Sequence, residues 1–115
     1  MTKSDCIFCK IANGAIPSQK VYEDDVMIVF KDINPQAKIH LLAVPKEHFA
    51  DVTELATKSP ETLTHIFKVI ADKKNEFGFE NGMRVITNVG EDGCQSVKHV
   101  HIHLLGGEKL SERMG

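Results

Sequence analysis

Apolar residues occur in short runs along this chain, and the spacing within each run predicts its secondary structure. Residues 26–31 and 39–44 are apolar runs rich in β-branched side chains, as is typical of strands buried in a sheet. Pro45 stops the second of these runs. Residues 20–23 predict another strand, which a turn at Asp24 joins to the first run. Three strands are therefore expected in the first half of the chain.

The clearest helix is predicted to begin after Ser59, a favourable N-cap residue that is followed by proline at the first helical position. Apolar residues at helical spacing predict the face that packs on the core: Leu63, Ile66, Phe67, Ile70 and Ala71. Gly78 is placed to end this helix in a left-handed conformation. Residues 6–12 predict a second, shorter helix.

Two more strands are predicted over residues 84–88 and 97–105, with a loop rich in turn residues between them. Short turns between sequential strands imply antiparallel pairing. We therefore predict an α+β fold with a single domain over residues 1–115. One long and one short helix would pack on an antiparallel sheet of about five strands.

The composition is that of an ordinary globular protein, and it argues against several classes of function. Apolar residues make up 42% of the chain and charged residues 26%. The formal net charge of −2 argues against general nucleic-acid binding, although it is compatible with a small phosphate ligand. No run approaches the roughly 20 apolar residues of a membrane span. Residues 1–10 lack the apolar core of a secretion signal, so we expect a cytoplasmic location.

Three histidines alternate with apolar residues at His99, His101 and His103. On a strand these side chains would share one face at a spacing of roughly 6.6 Å, with Val100 and Ile102 on the opposite face toward the core. Neutral imidazoles act as nucleophiles, proton carriers or metal ligands near neutral pH. The pattern therefore indicates a nucleophilic site or a metal site, and a chance cluster of surface histidines is the alternative.

Cys6 and Cys9 form a C-x-x-C motif, and Cys94 brings the number of cysteines to three. An odd number cannot pair completely within the chain. In a reducing compartment the motif indicates metal binding or redox chemistry, and two thiols that bind no metal are the alternative.

The histidine pattern and its surroundings resemble the signature of the histidine triad family, in its nucleotide-binding branch. Residues 92–107 contain the family pattern His-φ-His-φ-His-φ-φ, in which φ is apolar, with a match at every position. Residues 30–37 and 40–48 also resemble the family, as do residues 6–11 with 16–17. The resemblance covers most of the chain and implies an α+β domain with a mainly antiparallel sheet, usually in a two-fold homodimer.

The resemblance implies a hydrolase that cleaves purine nucleoside phosphoramidates, in which AMP or a similar nucleotide is linked to an amine. His101 would be the nucleophile and would form a nucleotidyl-histidine intermediate. The backbone carbonyl of His99 would hold the other ring nitrogen of His101, and His103 would bind a phosphate oxygen. Further polar side chains would contact the phosphate or the leaving group, or support the histidines: His40, Asn88 and Ser96.

The resemblance also implies a nucleotide pocket. Asp32 resembles the ribose ligand of the family, whereas taken alone it reads as a turn aspartate. Apolar residues would line the base pocket, with core packing as the equal alternative for several of them and Ile33 as the strongest candidate: Phe8, Ile16, Phe30, Ile33 and Leu42. Other nucleotide contacts would come from polar side chains: Asn88, Gln95, Ser96, His101 and His103.

A structural zinc ion is the cofactor that the resemblance implies. Cys6, Cys9, His48 and His99 match positions that bind zinc in some members of the family. Two thiolates and two imidazoles form a suitable tetrahedral set. One departure from the family pattern is Cys94, which stands where many relatives have glycine.

Two other functions would use the same pocket: dinucleoside polyphosphate hydrolysis, as in the fragile histidine triad branch, and regulation through nucleotide binding. The C-x-x-C pair and residues 95–96 favour the phosphoramidate hydrolase. The expected partners are a purine nucleoside monophosphate or its phosphoramidate and a second copy of the chain. No nucleic acid and no membrane are expected.

Overall fold

The structure is a computed structural model that describes residues 5–114, and it confirms the predicted α+β class. The helices and strands of this range are α1 (Ile7–Ala12), β1 (Lys20–Glu23), β2 (Met27–Lys31), β3 (Ile39–Pro45), α2 (Val52–Lys58), α3 (Pro60–Lys73), β4 (Met83–Ile86) and β5 (Ile102–Gly106). Within this range, no helix is long and apolar enough to cross a membrane.

In the described part of the chain, five strands form one antiparallel sheet in the order β1-β2-β3-β5-β4. The central pair, β3 and β5, is distant in sequence. Its register aligns Leu42 with His103, and His40 with Leu105. Because directly opposite residues and residues two apart on a strand point to the same face, the His40 and His103 side chains lie on one face of the sheet.

Each face of the sheet carries its own hydrophobic layer. On one face, α2 and α3 pack over alternate strand residues that include Met27, Val29 and Leu41. On the other face, α1 packs through Phe8 and Ile11 over a smaller layer. The strand β2 is buried on both faces, which explains its continuous apolar run. Because α1 is short, its face of the sheet remains partly open, and the candidate site lies there.

The buried face of α3 differs from the predicted one. Ile66, Val69 and Ile70 are buried, whereas Phe67 is 44% exposed and Ala71 is also exposed. The prediction was therefore wrong for Phe67 and Ala71. The helix meets the sheet along positions spaced i, i+3 and i+4, and this line turns positions 67 and 71 toward the outside.

The two ends of the α3 segment follow the predicted signals with different details. Ser59 precedes the first helical residue, but its hydroxyl bonds to the Thr62 side chain and caps no backbone N–H. Gly78 has a φ of +95°, and the Phe79 N–H donates to the Lys74 carbonyl at 3.0 Å. This bond is typical of a left-handed helix closure. The role predicted for Gly78 is therefore confirmed, although regular α-helix already ends at Lys73.

The helix α2 was not predicted, although the sequence contains its start signal. Asp51 Oδ1 accepts hydrogen bonds from the backbone N–H groups of Thr53 and Glu54, both at 3.0 Å. Glu54 Oε1 in turn accepts from the Ala50 N–H at 2.7 Å. This arrangement resembles a capping box with aspartate as the N-cap residue. Because Leu55 is the buried residue of this short helix, no apolar periodicity marks it.

The last strand is shorter than predicted, and this changes the geometry of the histidines. The strand β5 begins at Ile102, so His99 and His101 lie before it. The prediction that three histidines share one face of a strand was therefore wrong. Residues 99–100 instead bond to the end of β3 and to the segment after it: the His99 ring donates to the Pro45 carbonyl at 2.9 Å, and the Val100 N–H donates to the Phe49 carbonyl at 2.7 Å.

Candidate active site

A cavity of about 870 Å³ opens between α1 and the sheet. Its volume suits a small organic ligand. Phe8 and Ile11 pack α1 against Phe30 and Leu42 on the sheet. The loop after α1 borders the cavity as well. The walls are largely apolar, and polar side chains converge from the ends of β2 and β5.

Most residues of the predicted nucleotide pocket meet at this cavity. The structure places these predicted residues in its lining: Phe8, Ile16, Phe30, Asp32, Ile33, Leu42, Ser96, His101 and His103. Ile33 is 92% exposed and stands at the surface of the site. Asn88 instead borders a neighbouring cavity of about 420 Å³ together with His103. The Asn88 side chain donates to the Gly93 carbonyl at 2.7 Å.

His101 is held in one orientation. Its Nδ1 lies 2.8 Å from the His99 carbonyl oxygen, and the ring meets Phe8 edge-on at 4.9 Å between centroids. A carbonyl only accepts hydrogen bonds, so the proton is on Nδ1 and the lone pair is on Nε2. Burial lowers the pKa of His101, which keeps the imidazole neutral at neutral pH. The side chain is therefore prepared to act as a nucleophile through Nε2.

His103 is part of a hydrogen-bonded chain with His40 and Asp32. The Gln36 backbone N–H donates to His40 Nδ1 at 3.0 Å, so the His40 proton is on Nε2. That nitrogen lies 2.9 Å from His103 Nδ1 and 3.4 Å from Asp32 Oδ2. His103 Nδ1 therefore accepts, and its proton is on Nε2. Burial, followed by the neighbouring histidines, lowers the pKa of His103 to about 4, so it presents a neutral N–H donor.

The same trio contains residue types that bind metals. The ligand atoms of Asp32, His40 and His103 lie within 4.8 Å of one another. A metal at His40 Nε2 would require the proton on Nδ1, where the Gln36 N–H already donates. The 2.9 Å separation of the two ring nitrogens is also that of a hydrogen bond. We therefore interpret the trio as a hydrogen-bonded chain.

A second cluster contains Cys6, Cys9, His48 and His99, whose ligand atoms all lie within 4.8 Å of one another. Sulfur-to-nitrogen separations are 3.3 Å from Cys6 and 3.4 Å from Cys9 to His99 Nδ1, and 3.3 Å from Cys9 to His48 Nδ1. A tetrahedral zinc site requires sulfur-to-nitrogen separations of roughly 3.6 Å. The Pro45 carbonyl accepts a hydrogen bond from His99 Nε2–H, so the lone pair on His99 Nδ1 faces the thiols. The donor set and its geometry therefore fit a metal ion.

Gln95 does not line the large cavity. Its side chain is 9% exposed and forms three hydrogen bonds to the backbone. Oε1 accepts from the Gly90 N–H at 3.0 Å, and Nε2 donates to the carbonyls of Ala50 at 2.6 Å and Val97 at 2.9 Å. Gln95 thus fastens the loop before the histidines to the segment after β3, and it positions the adjacent Ser96.

The loop before Gln95 has tight backbone geometry. Cys94 has a φ of +60°, in the left-handed region that glycine adopts without strain and that other residues rarely adopt. A Cβ atom on Gly93 would lie 2.6 Å from the Val89 carbonyl oxygen, so this position requires glycine.

Sequence reasoning missed two groups that shape the site. The Gln36 N–H determines the tautomer of His40, but a backbone donor leaves no signal in residue type. Ser18 borders the cavity from the loop after α1, and a lone serine in a loop is likewise inconspicuous.

Comparisons with known proteins agree with this architecture. The profile of a family described as "Scavenger mRNA decapping enzyme C-term binding" matches residues 5–115. A histidine triad protein from Clostridium difficile superposes with a TM-score of 0.92 at 48% identity, over 98% of this chain and 99% of that chain. A structure described as a HIT family hydrolase from Clostridium thermocellum gives a TM-score of 0.90 at 40% identity, over 98% of this chain and 99% of that one.

A plant relative adds information on metal. The "14 kDa zinc-binding protein" of Zea mays is 41% identical over 110 residues, which cover 94% of this chain and 86% of that protein. The family profile matches residues 5–115, and the histidine triad protein and the zinc-binding protein are 48% and 41% identical to this chain. The chain therefore belongs to the histidine triad family.

Proposed function

We propose that this protein is a nucleotide-binding hydrolase that cleaves purine nucleoside phosphoramidates through a nucleotidyl intermediate on His101. The observation that carries the proposal is the pair of assigned tautomers at the cavity. His101 presents a lone pair on Nε2, and His103 presents a proton on Nε2. One group can therefore attack phosphorus while the other donates to a phosphoryl oxygen.

The reaction divides into two displacements. In the first, the His101 Nε2 lone pair forms a bond to the α-phosphorus and the phosphorus–nitrogen bond breaks, while the leaving nitrogen takes a proton from solvent and departs as the amine. In the second, water attacks phosphorus and gives a proton back to solvent, the bond to His101 breaks, and the nucleoside monophosphate is released. The His99 carbonyl stabilises the positive charge that develops on the His101 ring, because it already accepts a hydrogen bond from His101 Nδ1–H.

The remaining cavity residues would bind the nucleoside. Asp32 retains lone pairs for ribose hydroxyls, although Oδ1 accepts from the Asn34 N–H at 2.8 Å and Oδ2 contacts His40 at 3.4 Å. Phe8, Phe30 and the other apolar walls would cover the faces of a flat base. Ser96 borders the cavity close to the histidines and would contact the phosphate or the leaving group.

We also propose that the cluster of Cys6, Cys9, His48 and His99 holds a structural zinc ion. Bound zinc would crosslink α1, the segment after β3 and the segment before β5. His99 would take part in both sites, since its side chain belongs to the cluster and its carbonyl orients His101. Loss of the metal should therefore disturb the position of the nucleophile.

We propose a two-fold homodimer as the assembly of this protein. The cytoplasmic location of the protein remains a prediction. β4 is an edge strand of the sheet, and Val85 on it is 42% exposed. Phe67 on α3 is 44% exposed. A second copy of the chain would cover this apolar surface and pair with the free backbone groups of the edge strand. Sedimentation that shows a monomer at micromolar concentration would contradict the dimer.

The test of function is a substrate panel combined with trapping of the intermediate. An adenosine 5′-phosphoramidate, a dinucleoside polyphosphate and AMP would be offered to the wild-type protein and to His101→Ala. We expect turnover of the phosphoramidate, an adenylylated His101 in rapidly quenched samples by mass spectrometry, and loss of several orders of magnitude in rate for the variant. AMP binding should survive, because Asp32 and Ser96 remain.

Three outcomes would overturn parts of this proposal. Adenylylation of His99 or His103 would show that the nucleophile is wrongly assigned. Preferred turnover of the dinucleoside polyphosphate would replace the substrate class. Binding of AMP without turnover of either substrate would favour a regulatory nucleotide-binding protein.

A further inference from the structure

The smaller cavity beside the histidines contains an arginine that has no acidic partner. This cavity of about 420 Å³ is bordered by His103, Asn88 and Arg84. Arg84 is partly buried, and one of its guanidinium N–H groups donates to the Ser111 carbonyl. Among residues 5–114, Arg84 forms no ion pair. A guanidinium group has five N–H donors, so the others are available to a ligand in the cavity.

The charge of this cavity favours an anion. Within the described part of the chain, no acidic side chain borders the cavity. Two histidines border it, His40 and His103, and burial lowers the pKa of each below its ordinary value, so both are neutral at neutral pH. Arg84 is therefore the charged side chain of the cavity. A guanidinium group binds a carboxylate or a phosphate through two parallel hydrogen bonds.

The sheet places Arg84 beyond His103 as seen from His101. The register of β4 with β5 aligns Arg84 with Leu105, which follows His103 by two residues, about 7 Å along the strand on the same face. His103 borders both the larger and the smaller cavity, whereas His101 borders the larger cavity and not the smaller one. His103 thus stands between the two cavities, and Arg84 lies on the side away from His101.

The direction of attack points the leaving group toward the smaller cavity. In phosphoryl transfer the attacking atom, phosphorus and the leaving atom lie roughly in line. With His101 as the nucleophile and His103 on a phosphoryl oxygen, the leaving nitrogen departs on the side away from His101. The smaller cavity lies on that side. A substituent on this nitrogen would extend into the cavity, and an acidic group a few bonds from phosphorus would reach Arg84.

We propose that Arg84 is a specificity-determining residue that binds an anionic group of the leaving group, which in a phosphoramidate is the carboxylate of an amino acid bonded to phosphorus through its nitrogen. This inference rests on the proposed function, since it requires attack by His101 on a phosphoramidate. It narrows the substrate class to nucleoside monophosphates linked to amino acids. A dinucleoside polyphosphate would present a phosphate at the same place, and the experiment distinguishes the two anions.

The test compares kcat/KM for two phosphoramidates of AMP, one with glycine and one with glycinamide, which have nearly the same shape and differ in the carboxylate charge. One charge-assisted contact corresponds to roughly 10-fold. We expect the wild type to prefer the glycine substrate by about this factor. For Arg84→Gln, which keeps an amide donor without the charge, the ratio of the two values should fall to near one.

Two further variants control for charge and position. Arg84→Lys keeps the charge but loses the planar pair of donors, so it should retain part of the preference. Arg113 is an exposed arginine that borders neither cavity, and Arg113→Gln should therefore keep the wild-type ratio.

The outcomes separate this inference from the proposed function. If the wild type turns over both phosphoramidates equally well, or if Arg84→Gln keeps the preference, the subsite is refuted while the proposed function stands. If Arg84→Gln slows hydrolysis of a dinucleoside polyphosphate but not of the glycine substrate, the anion is a phosphate and the carboxylate is refuted. If the wild type turns over neither phosphoramidate, the proposed function itself fails.

Sedimentation gives a second readout, because Arg84 lies on the edge strand β4. Pairing of a second copy with this strand would use its backbone groups, whereas the Arg84 side chain stands on the face of the sheet. Arg84→Gln should therefore sediment like the wild type. A change in assembly state would show that Arg84 supports the contact between copies, and it would overturn the inference.

Discussion

Replacement of Gln95 tests whether this residue positions the loop at the site, as the structure indicates. Gln95→Ala removes three hydrogen bonds to the backbone, at Gly90, Ala50 and Val97. Because Gln95 is only 9% exposed, water replaces these bonds poorly. At about 1 kcal/mol for each bond, the expected loss is about 3 kcal/mol in the free energy of unfolding. This is a large part of the roughly 5–15 kcal/mol that stabilises an ordinary domain.

Urea denaturation followed by circular dichroism would measure this loss, and the slope of the transition should stay constant. Gln95→Glu is a second variant of nearly the same shape. It retains an acceptor for the Gly90 N–H but places an oxygen against the carbonyls of Ala50 and Val97, so it should also be destabilised at neutral pH. Ser96→Ala should change stability by less than about 0.5 kcal/mol, because Ser96 is exposed. A comparably small loss for Gln95→Ala would refute the positioning role.

Three further predictions concern the metal, the acid range and the ribose contact. Protein purified without added metal should contain about one zinc per chain by elemental analysis, and a chelator should lower its melting temperature; unchanged melting would contradict a structural metal. Because the folded pKa of His103 is about 4, against an ordinary value of 6.5, its contribution to stability should be complete above pH 6.5 and should be lost as the pH falls from 6.5 toward 4. Urea midpoints across this window should fall less for His103→Asn than for the wild type, and equal slopes would speak against the shifted pKa. Asp32→Ala should weaken AMP binding by roughly 10-fold or more but hardly affect 2′,3′-dideoxy-AMP, and equal losses would exclude the ribose role.

Local sequence patterns were sufficient for much of the fold. The apolar runs at 26–31 and 39–44 correspond to β2 and β3 within one residue at the ends. Burial acts on these residues through their own side chains, so a pattern of residue types records it. The histidine pattern and the C-x-x-C motif likewise indicated a nucleophilic site and a metal cluster, because this chemistry belongs to particular side chains.

Only the tertiary structure decided how the candidate site is arranged. The segment 95–100 forms hydrogen bonds to the segment 45–50 through Gln95, through the His99 ring and through backbone groups. Because these residues are bonded there, the strand β5 begins only at Ile102. The tautomers of His101 and His103 follow from a carbonyl oxygen and from a distant backbone N–H. Every residue carries such backbone groups, so residue types do not reveal which of them meet. Their pairing depends on the packing of segments that lie far apart in the chain, and folding alone brings those segments together.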